Sequence, residues 1–85
     1  MAYKLLFKRN ALDKFDRLDP AIQKRILKKL MWFAKQDDPI CFAHPLTNSM
    51  LGDFRFRIGD WRVVFDLNGT TIVILLIGKR SEIYR

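Results

Sequence analysis

Residues 54–65 (Phe-Arg-Phe-Arg-Ile-Gly-Asp-Trp-Arg-Val-Val-Phe) constrain the fold more than any other stretch of the chain. Apolar and basic residues alternate up to Gly59-Asp60, which predicts a strand, a two-residue turn and a second strand. With Gly-Asp as the loop, Ile58 faces Trp61, Arg57 faces Arg62, Phe56 faces Val63 and Arg55 faces Val64. Period-two geometry then separates Phe54, Phe56, Ile58, Trp61, Val63 and Phe65 from Arg55, Arg57 and Arg62. Opposed residues have Cβ atoms about 4.5–5.5 Å apart, where like charges destabilise a sheet. A cluster of three guanidinium groups therefore makes sense if an anion spends time between them. The competing reading is a solvated basic face with splayed side chains.

At 85 residues the chain reads as one domain, 1–85, with room for a single core. A hydrophobic share of 49% is enough for that core without covalent staples. The formal charge of +7 points to a polyanionic partner: nucleic acid, an anionic membrane surface or an acidic protein. The lone cysteine, Cys41, permits no intrachain disulfide, which fits a reducing compartment. The longest apolar run, Ile72 to Ile77, has the length of a strand and not of a membrane helix. No signal-peptide layout opens the sequence, and a cytoplasmic protein is expected.

Tyr3 to Phe7 reads as a first strand ended by Lys8-Arg9-Asn10. Asn10 is placed to cap a short helix over Ala11 to Leu18, with Leu12 and Phe15 on one face. Asp19-Pro20 starts a second helix running to about Lys35, with Ile22, Ile26, Leu30 and Phe33 as its buried stripe. Lys24, Arg25, Lys28 and Lys29 fall largely off that stripe; such a basic face can contact RNA but is more often solvated. Asp37-Asp38-Pro39 stops the helix, and residues 40–53 read as a connecting loop. Asn68-Gly69 signals a second hairpin, which sets Phe65 against Ile72, Val64 against Val73, Val63 against Ile74 and Arg62 against Leu75. Trp61, Val63, Phe65, Ile72, Ile74 and Leu76 would then share the core face, with Val64, Val73, Leu75 and Ile77 on the other. The expected fold is α+β: a β-α-α-β-β-β domain, an antiparallel sheet with two helices packed on one face.

The tail poses a problem. Strict alternation puts Lys79 on the basic face and Arg80 on the core face, where a bare guanidinium is costly. Either the strand ends near Gly78, or a bulge there turns Arg80 over.

The hairpin of residues 54–65, followed by Ile-Gly-Lys-Arg-Ser-Glu-Ile-Tyr-Arg at 77–85, resembles the RelE family of mRNA-cleaving toxins. The N-terminal opening and the two-helix layout extend the resemblance over nearly the whole chain. The wider RelE/ParE superfamily shares the fold and includes members that poison DNA gyrase. The resemblance implies the toxin of a toxin–antitoxin pair, an endoribonuclease that cuts mRNA in the ribosomal A site. It implies no metal or other cofactor, and attack of the RNA 2′-hydroxyl on the adjacent phosphate. Carried over by position, Arg62 matches the arginine that holds the scissile phosphate, Arg80 a second arginine at the cleavage site, and Tyr84 the tyrosine that orients or stacks on the substrate. Arg55 and Arg57 stand where some members have lysines, and Lys79 where many carry a histidine; with these changes the three remain expected RNA-binding residues.

The physical reading of the residues agrees with that chemistry. Guanidinium groups supply forked donors to the charge that builds on a phosphorane. The 2′-hydroxyl requirement would select RNA over DNA. An arginine stays protonated, so neither Arg55 nor Arg57 suits a proton acceptor. His44 is the single histidine; beside Pro45 in the expected loop, it reads as structural, and no ligand set for a metal accompanies it. Two further functions stay open: a ParE-like gyrase inhibitor, and a non-catalytic homologue that binds RNA or an acidic partner. The expected partners are the ribosome with its mRNA and an antitoxin whose acidic or amphipathic segment covers the basic face.

Overall fold

The computed structural model describes residues 2–47 and 50–83. Five strands form one sheet in the order β1-β5-β4-β3-β2, where β1 is Lys4–Phe7, β2 His44–Pro45, β3 Phe54–Ile58, β4 Trp61–Asn68 and β5 Thr71–Lys79. Helices α1 (Arg9–Asp16) and α2 (Pro20–Ala34) follow β1, and the short α3 (Arg80–Ile83) follows β5. The α+β class and the antiparallel β3-β4-β5 meander are as expected. The first strand joins the far edge of the meander, parallel to β5, with Leu5 beside Ile72 and Phe7 beside Ile74.

Local chemistry moves the first helix. Lys8 keeps an extended backbone because its N–H donates to the Ile74 carbonyl, so the helix begins at Arg9. Asn10 lies inside α1 instead of capping it, and the helix ends at Asp16, short of the expected Leu18. In α2 Pro20 takes the first turn as expected, while the Asp19 side chain makes no cap bond. Ile26, Leu30 and Phe33 are buried beneath α2, with Ile22 partly so. Within the expected 40–53 loop, residues 40–42 and 44–45 form defined elements. Pro39–Phe42 forms a 3-10 turn opened by the Asp38 carboxylate, which accepts the Ile40 N–H at 3.2 Å. His44 and Pro45 then pair with Arg55 and Phe54 as an edge strand.

A column of stacked phenyl rings joins helix to sheet. Phe33 of α2 lies 4.0 Å from Phe56, centroid to centroid, and Phe56 lies 4.2 Å from Phe65. Both sheet rings are fully buried.

The first hairpin has the expected register, from Ile58 beside Trp61 to Phe54 beside Phe65. The second does not. Asn68 pairs with Thr71, so Gly69-Thr70 is the loop and Phe65 meets Ile74. The reason is backbone conformation. An Asn-Gly loop needs positive φ at both positions, whereas only glycines have it among the described residues, Gly69 at 60°. Moving the loop by one residue shifts the partner by two, which preserves the faces. A bulge then intervenes: Phe65 pairs with Ile74 but Val64 with Leu76, leaving Leu75 extra. Beyond it Val63 meets Ile77 and Arg62 meets Gly78. Ile77, expected outside, is therefore core at 2% exposure, and Leu76, expected in the core, shares the outer face with Val64.

Three substitutions test this account. Phe56→Ala is expected to cost about 3–5 kcal/mol of unfolding free energy in urea, because it empties the middle of the ring column. Gly69→Ala is expected to cost about 1–2 kcal/mol, purely from backbone, since a Cβ there meets nothing within 4 Å. Asn68→Ala should stay within about 0.5 kcal/mol; an equal loss at both positions would restore the Asn-Gly turn.

Candidate RNA-cleavage site

The outer face of the meander carries the candidate site. Arg55 and Arg57 project from β3 by period-two geometry, and Arg62 lies across from Arg57 on β4. With Arg80 they wall a recess of about 430 Å³, and the described residues lining it are these four arginines alone. Arg62 is 7% exposed, and its Nη1 donates to the Gly59 carbonyl at 2.7 Å and the Trp61 carbonyl at 2.9 Å. The first hairpin turn thus holds one edge of this guanidinium in a fixed pose.

Arg80 reaches the recess because of the bulge at Leu75. That extra residue reverses the parity of the rest of the strand, placing Gly78 opposite Arg62 on the outer face and Lys79 opposite Trp61 on the helix side. The expected problem of a core-facing Arg80 is solved by a bulge three residues before Gly78, and by the strand ending at Lys79. The Arg80 N–H donates to the Asp60 carbonyl at 2.8 Å, tying the start of α3 to the same turn that anchors Arg62. Close approach needs Gly78: a Cβ there would lie 3.0 Å from Ile83 Cγ1, so α3 folds directly over it. Glu82 of α3 reaches Lys14 at 3.5 Å.

Of the residues singled out from sequence, Arg55, Arg57, Arg62 and Arg80 come together. Lys79 does not join them; its Nζ lies 5.9 Å from the Trp61 ring centroid, and it lines a separate recess with Arg25 and Asp60. The parity reversal that brings Arg80 in turns Lys79 away. Tyr84 lies outside the described residues.

Sequence reasoning missed His44. As the partner of Arg55 across β2–β3 it shares the outer face, since directly opposed residues of an antiparallel pair point the same way. Its imidazole pKa is lowered from the usual value, by desolvation first and then by the positive charges of Arg57, Arg55 and Arg62. Cys41, by contrast, is held as a thiol: Sγ donates to Asp38 Oδ2 at 3.3 Å, which raises its pKa together with the Asp38 charge. The same bond disfavours a Cys41 thiolate, and with it any nucleophilic role for Cys41 beside His44. Among the described residues no three His, Cys, Asp or Glu side chains gather where a metal would bind, and no helix is long and apolar enough to cross a membrane.

A second concave surface adjoins the first. A groove of about 610 Å³ runs between α2 and the β3–β4 turn, walled by Arg25, Lys28, Lys29 and Lys35 around Met31 and Trp32. Lys29 Nζ sits 4.7 Å over the Trp32 ring. Arg57 lines both the groove and the arginine recess.

Comparison with known proteins agrees with this architecture. Residues 5–84 match the family model described as the ParE toxin of type II toxin-antitoxin system, parDE. The chain is 32% identical over 90 residues to Toxin RelG of Mycobacterium tuberculosis, covering 100% of this chain and 99% of that protein. Among solved structures it is similar to the toxin–antitoxin complex RelBE2 of M. tuberculosis, with a TM-score of 0.75 at 27% identity over 94% of this chain and 100% of that one. The archaeal RelE–RelB complex from Pyrococcus horikoshii shares the fold, with a TM-score of 0.73 at 24% identity over 96% of this chain and 99% of that one. The chain belongs to the ParE toxin family of type II toxin–antitoxin systems, within the RelE/ParE superfamily.

Proposed function

We propose that this toxin is a cytoplasmic endoribonuclease that cuts mRNA in the ribosomal A site by attack of a 2′-hydroxyl on the adjacent phosphate. The observation that carries the reading is the four-arginine recess with Arg62 fixed by the Gly59 and Trp61 carbonyls. Like charges gathered around a largely buried guanidinium cost stability, and a bound phosphate offsets that cost. The same charges are worth more to the dianionic phosphorane than to the monoanionic diester, which is the differential that accelerates the reaction. Arg62 and Arg80 grip the scissile phosphate in this reading. Arg55 and Arg57 hold the strand beside it, and Tyr84 stacks on a neighbouring base. Lys79 contributes at most through the separate recess beside Trp61. Gyrase inhibition is the competing reading, favoured by the ParE description of the matched family model.

Arg62→Ala and Arg80→Ala are each expected to lower cleavage of a translated message by about 10²–10³-fold, the range for removing one preorganised donor at a transition state. Primer extension for codon-positioned cuts reads the rate, and circular dichroism checks that each variant stays folded. Full cleavage by folded variants overturns the nuclease reading. Inhibition of supercoiling by purified wild type, with no cut in the message, establishes the gyrase one.

The cognate antitoxin, in this proposal, lays an amphipathic acidic segment in the groove beside α2. Its apolar side meets Met31 and Trp32, and its carboxylates meet Arg25, Lys28, Lys29 and Lys35. Trp32→Ala is expected to weaken antitoxin binding at least about 30-fold, as a central aromatic anchor does. Affinity should also fall with added salt. Titration calorimetry at two ionic strengths checks both, and salt-independent affinity argues against an electrostatic cover.

A further inference from the structure

Phosphate binding by arginines leaves one step of the proposed reaction without a residue. The 2′-hydroxyl must lose its proton as it attacks, and a guanidinium does not accept one. A proton acceptor has to stand on the outer face, close to the recess, and be neutral at working pH.

His44 meets each condition. The β2–β3 ladder sets it directly across from Arg55, so their Cβ atoms stand about 4.5–5.5 Å apart on the same face. Arg57 is its diagonal neighbour on that face, about 7–8 Å away in such a ladder. His44 is exposed and does not itself wall the recess, but Arg55 and Arg57, its neighbours in the ladder, do. The edge strand that presents it is anchored on both sides: the Ala43 N–H donates to the Ile40 carbonyl, and the Leu46 N–H to the Asp53 carbonyl. The charged groups acting on it are Arg55 and Arg57 from β3 and Arg62 from β4. Desolvation and then these three charges disfavour the imidazolium, which favours the neutral ring with its free lone pair.

We propose that His44 is the general base of the arginine recess. This rests on the nuclease reading above and supplies the proton acceptor that it lacks. In the step, an imidazole nitrogen takes the 2′-hydroxyl proton while the 2′-oxygen forms a bond to phosphorus. The bond from phosphorus to the 5′-oxygen breaks, and that oxygen takes a proton from water. The products are a 2′,3′-cyclic phosphate and a 5′-hydroxyl, and the imidazolium returns its proton to solvent. No electron transfer or co-reactant enters.

The experiment compares wild type, His44→Ala and His44→Gln for cleavage of a translated message across pH 5–8. His44→Ala and His44→Gln are each expected to cut about 10²–10⁴-fold more slowly. The acid-side fall in rate expected of wild type should vanish in both, and added imidazole should restore part of the His44→Ala activity. Retention of antitoxin binding shows that both variants are folded. In the free protein, nuclear magnetic resonance should place the His44 midpoint below 6.5, rising when Arg55 and Arg57 are both replaced by alanine. A variant that cuts at the wild-type rate with an unchanged pH profile overturns the assignment while leaving the nuclease reading intact. Full activity in His44→Gln alone does the same, because glutamine retains hydrogen bonding but accepts no proton. A wild type that leaves RNA uncut overturns both.

Discussion

A single extra residue, Leu75, reconciles the two demands on β5. The first half of the strand must bury Ile72 and Ile74 under the helices, and its exit must deliver a cation to the opposite face. Strict alternation cannot do both, because Ile74 and Arg80 are an even number of residues apart and would share a face. The bulge changes the parity once, at the point where Val64 and Phe65 face it. Ile77 then enters the core, Gly78 across from Arg62 leaves room for α3, and Arg80 joins the arginines. Core and site are thus one solution of the same strand.

The cost of that site falls on the β3–β4 hairpin, and the core beneath it carries the load. Arg57 opposes Arg62 directly, an arrangement that favours neither strand pairing nor burial. Behind it the inner face of the same hairpin is filled by Phe56 and Phe65, continuous with Phe33. Stacked rings add about 0.5–1.5 kcal/mol each beyond the apolar area they remove from water. A turn held by that column gives Arg62 two fixed carbonyls and gives Arg80 a third. Rigidity on one face therefore sets the charge geometry on the other.

Much of this is legible in the sequence, and the failures have physical causes. The first hairpin can be read residue by residue because a Gly-Asp pair between alternating strands leaves one register. The second turn is misplaced because Asn-Gly is a strong local signal, whereas of that pair only Gly69 takes positive φ. That error preserves the faces. The Leu75 bulge does not, and nothing in the run Ile-Val-Ile-Leu-Leu-Ile marks which apolar residue is extra. The first helix begins early because a long-range bond from Lys8 to Ile74 fixes the preceding residue, which no capping rule sees. His44 is hidden for the same reason. Its strand is two residues long, below any periodicity, and its place beside Arg55 comes from pairing across the intervening loop. The arginines announce the site by their pattern, whereas the histidine belongs to it only through the fold.

Arg57 links the two concave surfaces. Its side chain borders the arginine recess on one side and the groove beside α2 on the other. A carboxylate in the groove that pairs with Arg57 withdraws one of the four cations from the recess, and its own negative charge repels an incoming phosphate. The same carboxylate would offset part of the positive field that, after desolvation, disfavours the His44 imidazolium, since Arg57 acts most strongly of the three guanidinium groups on that ring. An acidic segment lying in the groove would therefore weaken both halves of the proposed chemistry, phosphate binding and proton removal, without entering the recess. Inhibition by a neighbour's charge requires contact with one shared residue, and it reverses as soon as the segment leaves. For a toxin that must be silenced and released, coupling through Arg57 needs no conformational change in the sheet.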